Sequence, residues 1–226
     1  MKPATHGTST MPHGAAPEGK RALRRLVTRT DLIRSAREIL SVKGLYEAHV
    51  EEITERAGIA KGTLYKYFES KEALVRDVVA AGFDELGLHL ERRTPGAAGL
   101  QETAARIAEA HDEFLSNNPD LMRIFHQVRG LLKFHREEWK TLRDVLSEHI
   151  DRLAAMLARA RGAPSPRACR ELAILVFGAV SGTLSVRVSI DSAGRGRAAP
   201  TLGRCVAAMA AEFVRQEGAG RRGRPT

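Results

Sequence analysis

The sequence predicts an all-α protein, with an N-terminal three-helix helix-turn-helix domain followed by a larger C-terminal helical domain. Three observations lead there. Apolar residues recur at spacings of three and four, with no stretch that alternates with period two. Breaks rich in Gly and Pro at 92–99, 161–166 and 191–200 divide the chain into helix-sized pieces. Gly58 separates two short amphipathic segments, and no internal repeat competes with this reading.

Residues 1–20 show no periodicity and many turn formers. They read as a disordered arm that ends in the basic cluster Lys20, Arg21, Arg24, Arg25 and Arg29, an arm of the kind that reaches along DNA. The first helix is expected to begin near Thr28 or Thr30, with Thr28 and Asp31 as a capping box and Ile33, Ala36 and Leu40 on its apolar face; Gly44 ends it. A second helix spans about Val50–Ala57, with Val50, Ile53 and Ala57 inward, and a third spans Ala60–Tyr67, with Leu64 and Phe68 inward. Ser70 caps a long fourth helix whose stripe is Leu74, Val78, Ala81 and Leu86. Further helices fall at about 100–117, 119–128, 131–161, 165–190 and 199–217, with Pro119 in a first helical turn. The expected domains are a basic disordered arm at 1–27, the DNA-binding unit at 28–75, a ligand-binding and dimerisation domain at 76–217, and a basic disordered tail at 218–226.

Composition narrows the function. The 226 residues hold 36 Lys and Arg against 27 Asp and Glu, for a formal charge of +9 and a pI near 10.1, which favours a polyanionic partner. Residues 1–71 and 192–226 each carry a net +5, so the long middle is near neutral and has a different task. No charge-free apolar run of membrane-spanning length is evident, and the residues before Leu23 lack the apolar centre of a secretory signal; no membrane partner and a cytoplasmic location are expected. Cys169 and Cys205 match neither a metal finger nor a disulfide framework, leaving buried thiols or a redox switch. There is no nucleophile elbow, phosphate-binding Gly loop or zinc-spaced His pair, so neither an enzyme nor a cofactor is expected.

The stretch "AGIAKGTLYKYFESKEAL", residues 57–74, combines an anchored face with an exposed cationic one. Gly58 allows a left-handed turn, while Ile53, Ile59 and Leu64 close a small core. Lys61, Lys66 and Lys71 supply cations for phosphates, and Gly62 lets the backbone come close to one. Thr63, Tyr65 and Tyr67 offer hydroxyls to phosphates or base edges. Phe68 is core, and Tyr65 suits either packing or DNA contact.

From Thr28 to Val75, and most sharply over "ITERAGIAKGTLYKYFESKEAL", the chain resembles the DNA-binding domain of the tetracycline-repressor (TetR) family of bacterial regulators. The resemblance implies a nine- or ten-helix homodimer, a divergent ligand-binding domain, and repression relieved by a small-molecule effector. It places Lys61, Gly62, Thr63, Tyr65, Lys66 and Tyr67 on the recognition helix and Lys71 at the start of the fourth helix, near phosphate. His49 stands where the family usually has a Ser or Thr cap that also meets phosphate. Thr54 stands where a small Ala is usual at the helix crossing, so its extra atoms must fit or tilt the second helix.

The resemblance continues weakly at "LVFGAVSGTLSV", residues 175–186. Gly178 and Gly182, one turn apart, make a smooth strip for another helix, either within the chain or, as the family implies, at the dimer interface. Double-stranded DNA with inverted-repeat half-sites is then the expected operator, its reading heads about 34–36 Å apart or more. An effector cavity is expected among the fourth to eighth helices, drawn from Phe83, Phe114, Phe125, Phe134, Trp139 and Phe177, with Leu132, Leu146 and Ile150 as neighbours. His111, His126, His135 and His149 do not form a metal pattern, and no metal is expected. The rival readings are a non-specific DNA-binding protein and a helical ligand-binding dimer without sequence-specific DNA binding; preference for one duplex over random DNA separates them from a regulator.

Overall fold

A computed structural model of the chain describes residues 18–132, 137–190 and 199–222, all of them in helices and the turns between them. Helix α1 runs Glu18–Glu47, α2 Val50–Arg56, α3 Lys61–Leu64 and α4 Lys71–Arg93. The larger domain follows with α5 Leu100–Asn117, α6 Pro119–Leu132, α7 Lys140–Ala158, α8 Pro166–Ile190 and α9 Ala199–Arg222.

The N-terminal core forms where apolar residues one turn apart meet. Leu32, Ala36 and Leu40 of α1, Ile53 of α2 and Leu64 of α3 are fully buried, and they close on Leu74, Val75 and Val78 of α4 with Phe68 between. Ser70 Oγ accepts from Ala73 N at 3.1 Å and so starts α4 as the sequence predicts. The next turns of α4 bury Val79, Phe83, Leu86 and Leu90 in the second domain. Helix α5 is the centre of that domain, packed on α4, α6, α7, α8 and α9.

Three expectations differ from the fold. Helix α1 begins at Glu18, so Thr28 lies inside it and the basic segment from Lys20 is helical; the run Ala22–Leu26 is made of strong helix formers and simply extends α1. Residues 1–17 of the expected arm lie outside the described residues. A single helix over 131–161 gives way to α6, a 3-10 turn at Glu137–Trp139 and α7, because Trp139 leaves helical backbone (φ −102°, ψ 10°) and tucks its ring into the core. Helix α9 continues through residues 218–222 of the expected tail, its face Leu202, Val206 and Ala210 held by the core. Pro166–Arg187 of α8 is long and apolar enough to cross a membrane by composition, with a mean hydropathy of 1.5, but it carries Arg167, Arg170, Glu171 and Arg187, and 39% of its apolar window is buried inside the fold.

Gly44 does not so much end α1 as bend it. Its φ of 91° and ψ of 168° turn Leu45 and Ala48 into the core, and Leu45 N donates to Gln127 Oε1 of α6 at 2.8 Å. A Cβ at Gly44 would stand 3.1 Å from that same oxygen. Gly44→Ala should therefore lower stability by about 1–2 kcal/mol, strained backbone and a crowded Gln127 acting together, which denaturant unfolding would measure.

Candidate functional site

The helix-turn-helix is built from α2, a turn through Gly58 (φ 67°), and α3. Regular α3 ends at Leu64, but bonds from Lys66 N to Thr63 O (3.1 Å), Tyr67 N to Leu64 O (2.8 Å) and Phe68 N to Leu64 O (3.0 Å) carry the coil to Phe68. Leu64 and Phe68, one turn apart, are buried; Lys61, Gly62, Tyr65 and Lys66 face solvent, with Thr63 and Tyr67 half-buried at the edge. Half of Tyr65 is exposed (49%), so it does not serve as core. Tyr67 instead packs against the core.

The cations differ in what already holds them. Lys61 is paired with Glu51 of α2, and that carboxylate pushes the Lys61 ammonium above its ordinary pKa. Lys71 Nζ donates to Tyr46 O at 3.2 Å, tying α4 to the end of α1. Among the described residues Lys66 has no acidic partner. His49 is exposed at the start of α2, where Glu52 Oε2 accepts from its backbone N at 3.2 Å. Thr54 fits the helix crossing without protest: it is 3% exposed, and its hydroxyl donates to Glu51 O at 3.0 Å.

A second constellation lies in the larger domain. A small, partly open cavity of about 30 Å³ is walled by Phe83 of α4, Phe125 of α6 and Phe177 of α8, with His111, Arg129 and Ser181 also on its lining. Phe83 and Phe125 stack with centroids 4.3 Å apart, and His149 stacks on the same Phe83 at 4.5 Å. His111 and His149 are fully buried, 5.9 Å apart between centroids, and none of their four ring nitrogens has a hydrogen-bond partner. Burial holds both neutral, pushing His111 down to about 4 and His149 well below its ordinary value. Of the residues expected to line a cavity, Phe83, Phe125, Phe177, Leu132 and Leu146 do so; Phe114, Trp139 and Ile150 are core, and Phe134 lies outside the described residues, as does His135 of the metal reading. No spacing along one helix links His111 to His149, so their pairing was invisible in the sequence.

An open groove of about 490 Å³ adjoins this cavity and shares Met122, His126 and Ser185 with it; its other wall is Ser41–Glu47 of α1. On the far side of α8, Ile174, Gly178, Gly182, Val186 and Ile190 recur every fourth residue, and the three large ones are exposed. A Cβ at Gly178 or Gly182 would meet nothing within 4 Å, so no other described helix crosses closely there.

Residues 32–78 match the family described as bacterial regulatory proteins, tetR family. The match covers α2, α3 and parts of α1 and α4, so the likeness to this family rests on the helix-turn-helix unit. The HTH-type transcriptional regulator UidR of Escherichia coli K12 is 42% identical over 52 residues, 23% of this chain and 26% of that protein. The HTH-type transcriptional repressor KstR2 of Rhodococcus jostii is 36% identical over 58 residues, 26% of this chain and 28% of that protein. The chain thus matches about a quarter of the length of these curated relatives. The transcriptional regulator FadR of Bacillus subtilis, solved in complex with stearoyl-CoA, shares the fold: TM-score 0.65 at 19% identity, over 80% of this chain and 96% of that one.

The two thiols differ. Cys169 is buried, its pKa raised by burial, whereas Cys205 is exposed, against the expectation that both are hidden. The buried imidazoles also set a pH dependence. Because the folded His111 pKa lies below the unfolded value of about 6.5, the unfolded chain binds the extra proton, and stability is full above pH 6.5 and falls toward pH 4. Between pH 7 and pH 5 the loss from His111 should be on the order of 2 kcal/mol, seen as a falling Tm whose slope flattens in His111→Leu.

Proposed function

We propose that this protein is a dimeric transcriptional repressor that binds an inverted-repeat operator and is released from it by a small-molecule effector. The observation that supports this most directly is the split surface of the coil from Lys61 to Phe68, with Leu64 and Phe68 anchored and Lys61, Gly62, Tyr65 and Lys66 outward. Thr63 and Tyr67 stand at its edge, while His49 and Lys71 flank it toward phosphate. The protein works in the cytoplasm, without a cofactor and without catalysis of its own.

Dimerisation uses the outward stripe of α8, where the open flanks of Gly178 and Gly182 let the same helix of a second copy approach. Burying Ile174, Val186 and Ile190 there explains why α8 is so apolar on both sides.

The effector enters between α4, α5, α6 and α8. At about 30 Å³ the cavity holds little more than a water, so a ligand must part the Phe83–Phe125 stack. Phe125 rides on α6, and α6 is bonded to the DNA-binding unit twice: Gln127 to Leu45 N at the bend, and Asp120 to Arg37, which also holds Glu85 of α4 at 3.0 Å. A shift of α6 therefore pulls on α1 and on α4 together, and the spacing of the two reading heads changes with it. The stearoyl-CoA bound by FadR supports a small-molecule effector for a protein of this fold.

Selection of duplexes from a random pool at near-physiological salt tests the reading: one palindromic site should be enriched, bound about 10³-fold or more tighter than random DNA. Equal retention of all duplexes by the folded dimer would reject it. Lys66→Ala should weaken the selected site and reduce the steepness of the salt dependence by about 1 per subunit, while Lys61→Ala should do less because Glu51 already offsets that charge. Titrations at several salt concentrations, with dimerisation checked by sedimentation, measure both.

A further inference from the structure

The cavity of the larger domain carries more information than its apolar walls. Two neutral imidazoles, His111 and His149, are sealed from water with every ring nitrogen unpaired, so each holds a donor and an acceptor that nothing satisfies. Natural interiors avoid such groups unless something fills their need. His111 stands on the cavity lining, and His149 lies off it, stacked on Phe83. The lining also holds one cation, Arg129, half-buried and bonded only to the neutral Ser181 hydroxyl at 2.9 Å, with no acidic partner among the described residues. Between these stand flat rings: Phe83 lies nearly parallel to Phe125 (11°) and to His149 (26°).

We propose that the effector, on the repressor reading above, is a small aromatic carboxylic acid that also carries a ring hydroxyl. Its ring separates Phe83 from Phe125 and takes the place each ring held against the other. Its carboxylate meets the Arg129 guanidinium, whose fork suits two oxygens. Its hydroxyl meets the His111 imidazole on the lining, whose unpaired ring nitrogens offer one donor and one acceptor. A saturated acyl chain fills the same space and leaves His111 unpaired, so this pocket discriminates against it.

Calorimetry on the full-length protein without DNA, using 4-hydroxycinnamate, cinnamate and dodecanoate as probes, tests this. The hydroxylated ring should bind at least about 10-fold tighter than cinnamate, and both should bind tighter than dodecanoate. In His111→Leu the difference between the two cinnamates should vanish and the unliganded Tm should hold or rise; in Arg129→Gln both cinnamates should weaken alike. Equal affinities of the two cinnamates, tighter binding of dodecanoate, or no binding of any probe would overturn the proposal, and this wild-type ranking decides even if a variant misfolds. Because the probes are ranked without DNA, a failed ranking beside a selected operator rejects the effector class alone. A correct ranking with no operator rejects repression alone.

Discussion

Helix α4 is the constraint on which both domains depend. A three-helix unit of this size buries too little surface to stand securely alone, since domains near 60 residues hide only about 60% of what the unfolded chain exposes. Here Leu74, Val75 and Val78 complete its core, and the very next turns, Val79, Phe83 and Leu86, belong to the other core. Asp77 sits at the junction, nearly buried, and ties Arg76 at 2.6 Å and Arg29 of α1 to the same helix; Arg29 also lies 5.3 Å from the centre of the Phe68 ring. A close-packed interior does not absorb a displaced helix. Whatever moves α4 at Phe83 is therefore felt at Leu74.

Helix α6 makes that coupling two-sided. Gly82 of α4 brings the two helices so close that a Cβ there would stand 2.7 Å from Leu121 and 3.0 Å from Phe125. The cavity, the Gly82 contact and the Gln127 bond to the bent end of α1 thus lie along one helix. The small cavity and the unpaired imidazoles are two aspects of one condition: the domain is packed, but packed around groups whose needs it does not meet.

The helix-turn-helix was the most legible part of the chain, because its constraints are local. Gly58, the Leu64–Phe68 pair and the Ser70 cap each act within a few residues, and the structure places them as their spacing implies. The start of α1 was misjudged because a disordered basic arm and an exposed basic helix share a composition, and only the continuation of α1 separates them. The cavity was half legible. Phe83, Phe125 and Phe177 could be guessed as large residues facing inward, but Phe114 and Trp139 looked the same and are core. His111 and His149 were read only for metal spacing, since their meeting depends on how α5 and α7 pack, a relation no periodicity encodes.

On the repressor reading proposed above, the pairing of Lys61 with Glu51 bears on how the protein would search DNA. Before any encounter, one of the outward cations on each reading head is already neutralised by an internal counterion. A phosphate that takes Lys61 must displace a carboxylate tethered beside it, and that carboxylate then stands near the DNA as a repulsive charge. Random duplex, gripped by charge alone, gains little from such a lysine, whereas a site that also engages Tyr65 and Thr63 can cover the cost of the exchange. An acidic residue at the edge of a basic surface in this way weakens loose, sequence-blind contact more than it weakens the intended one, and it shortens the time spent on the wrong DNA.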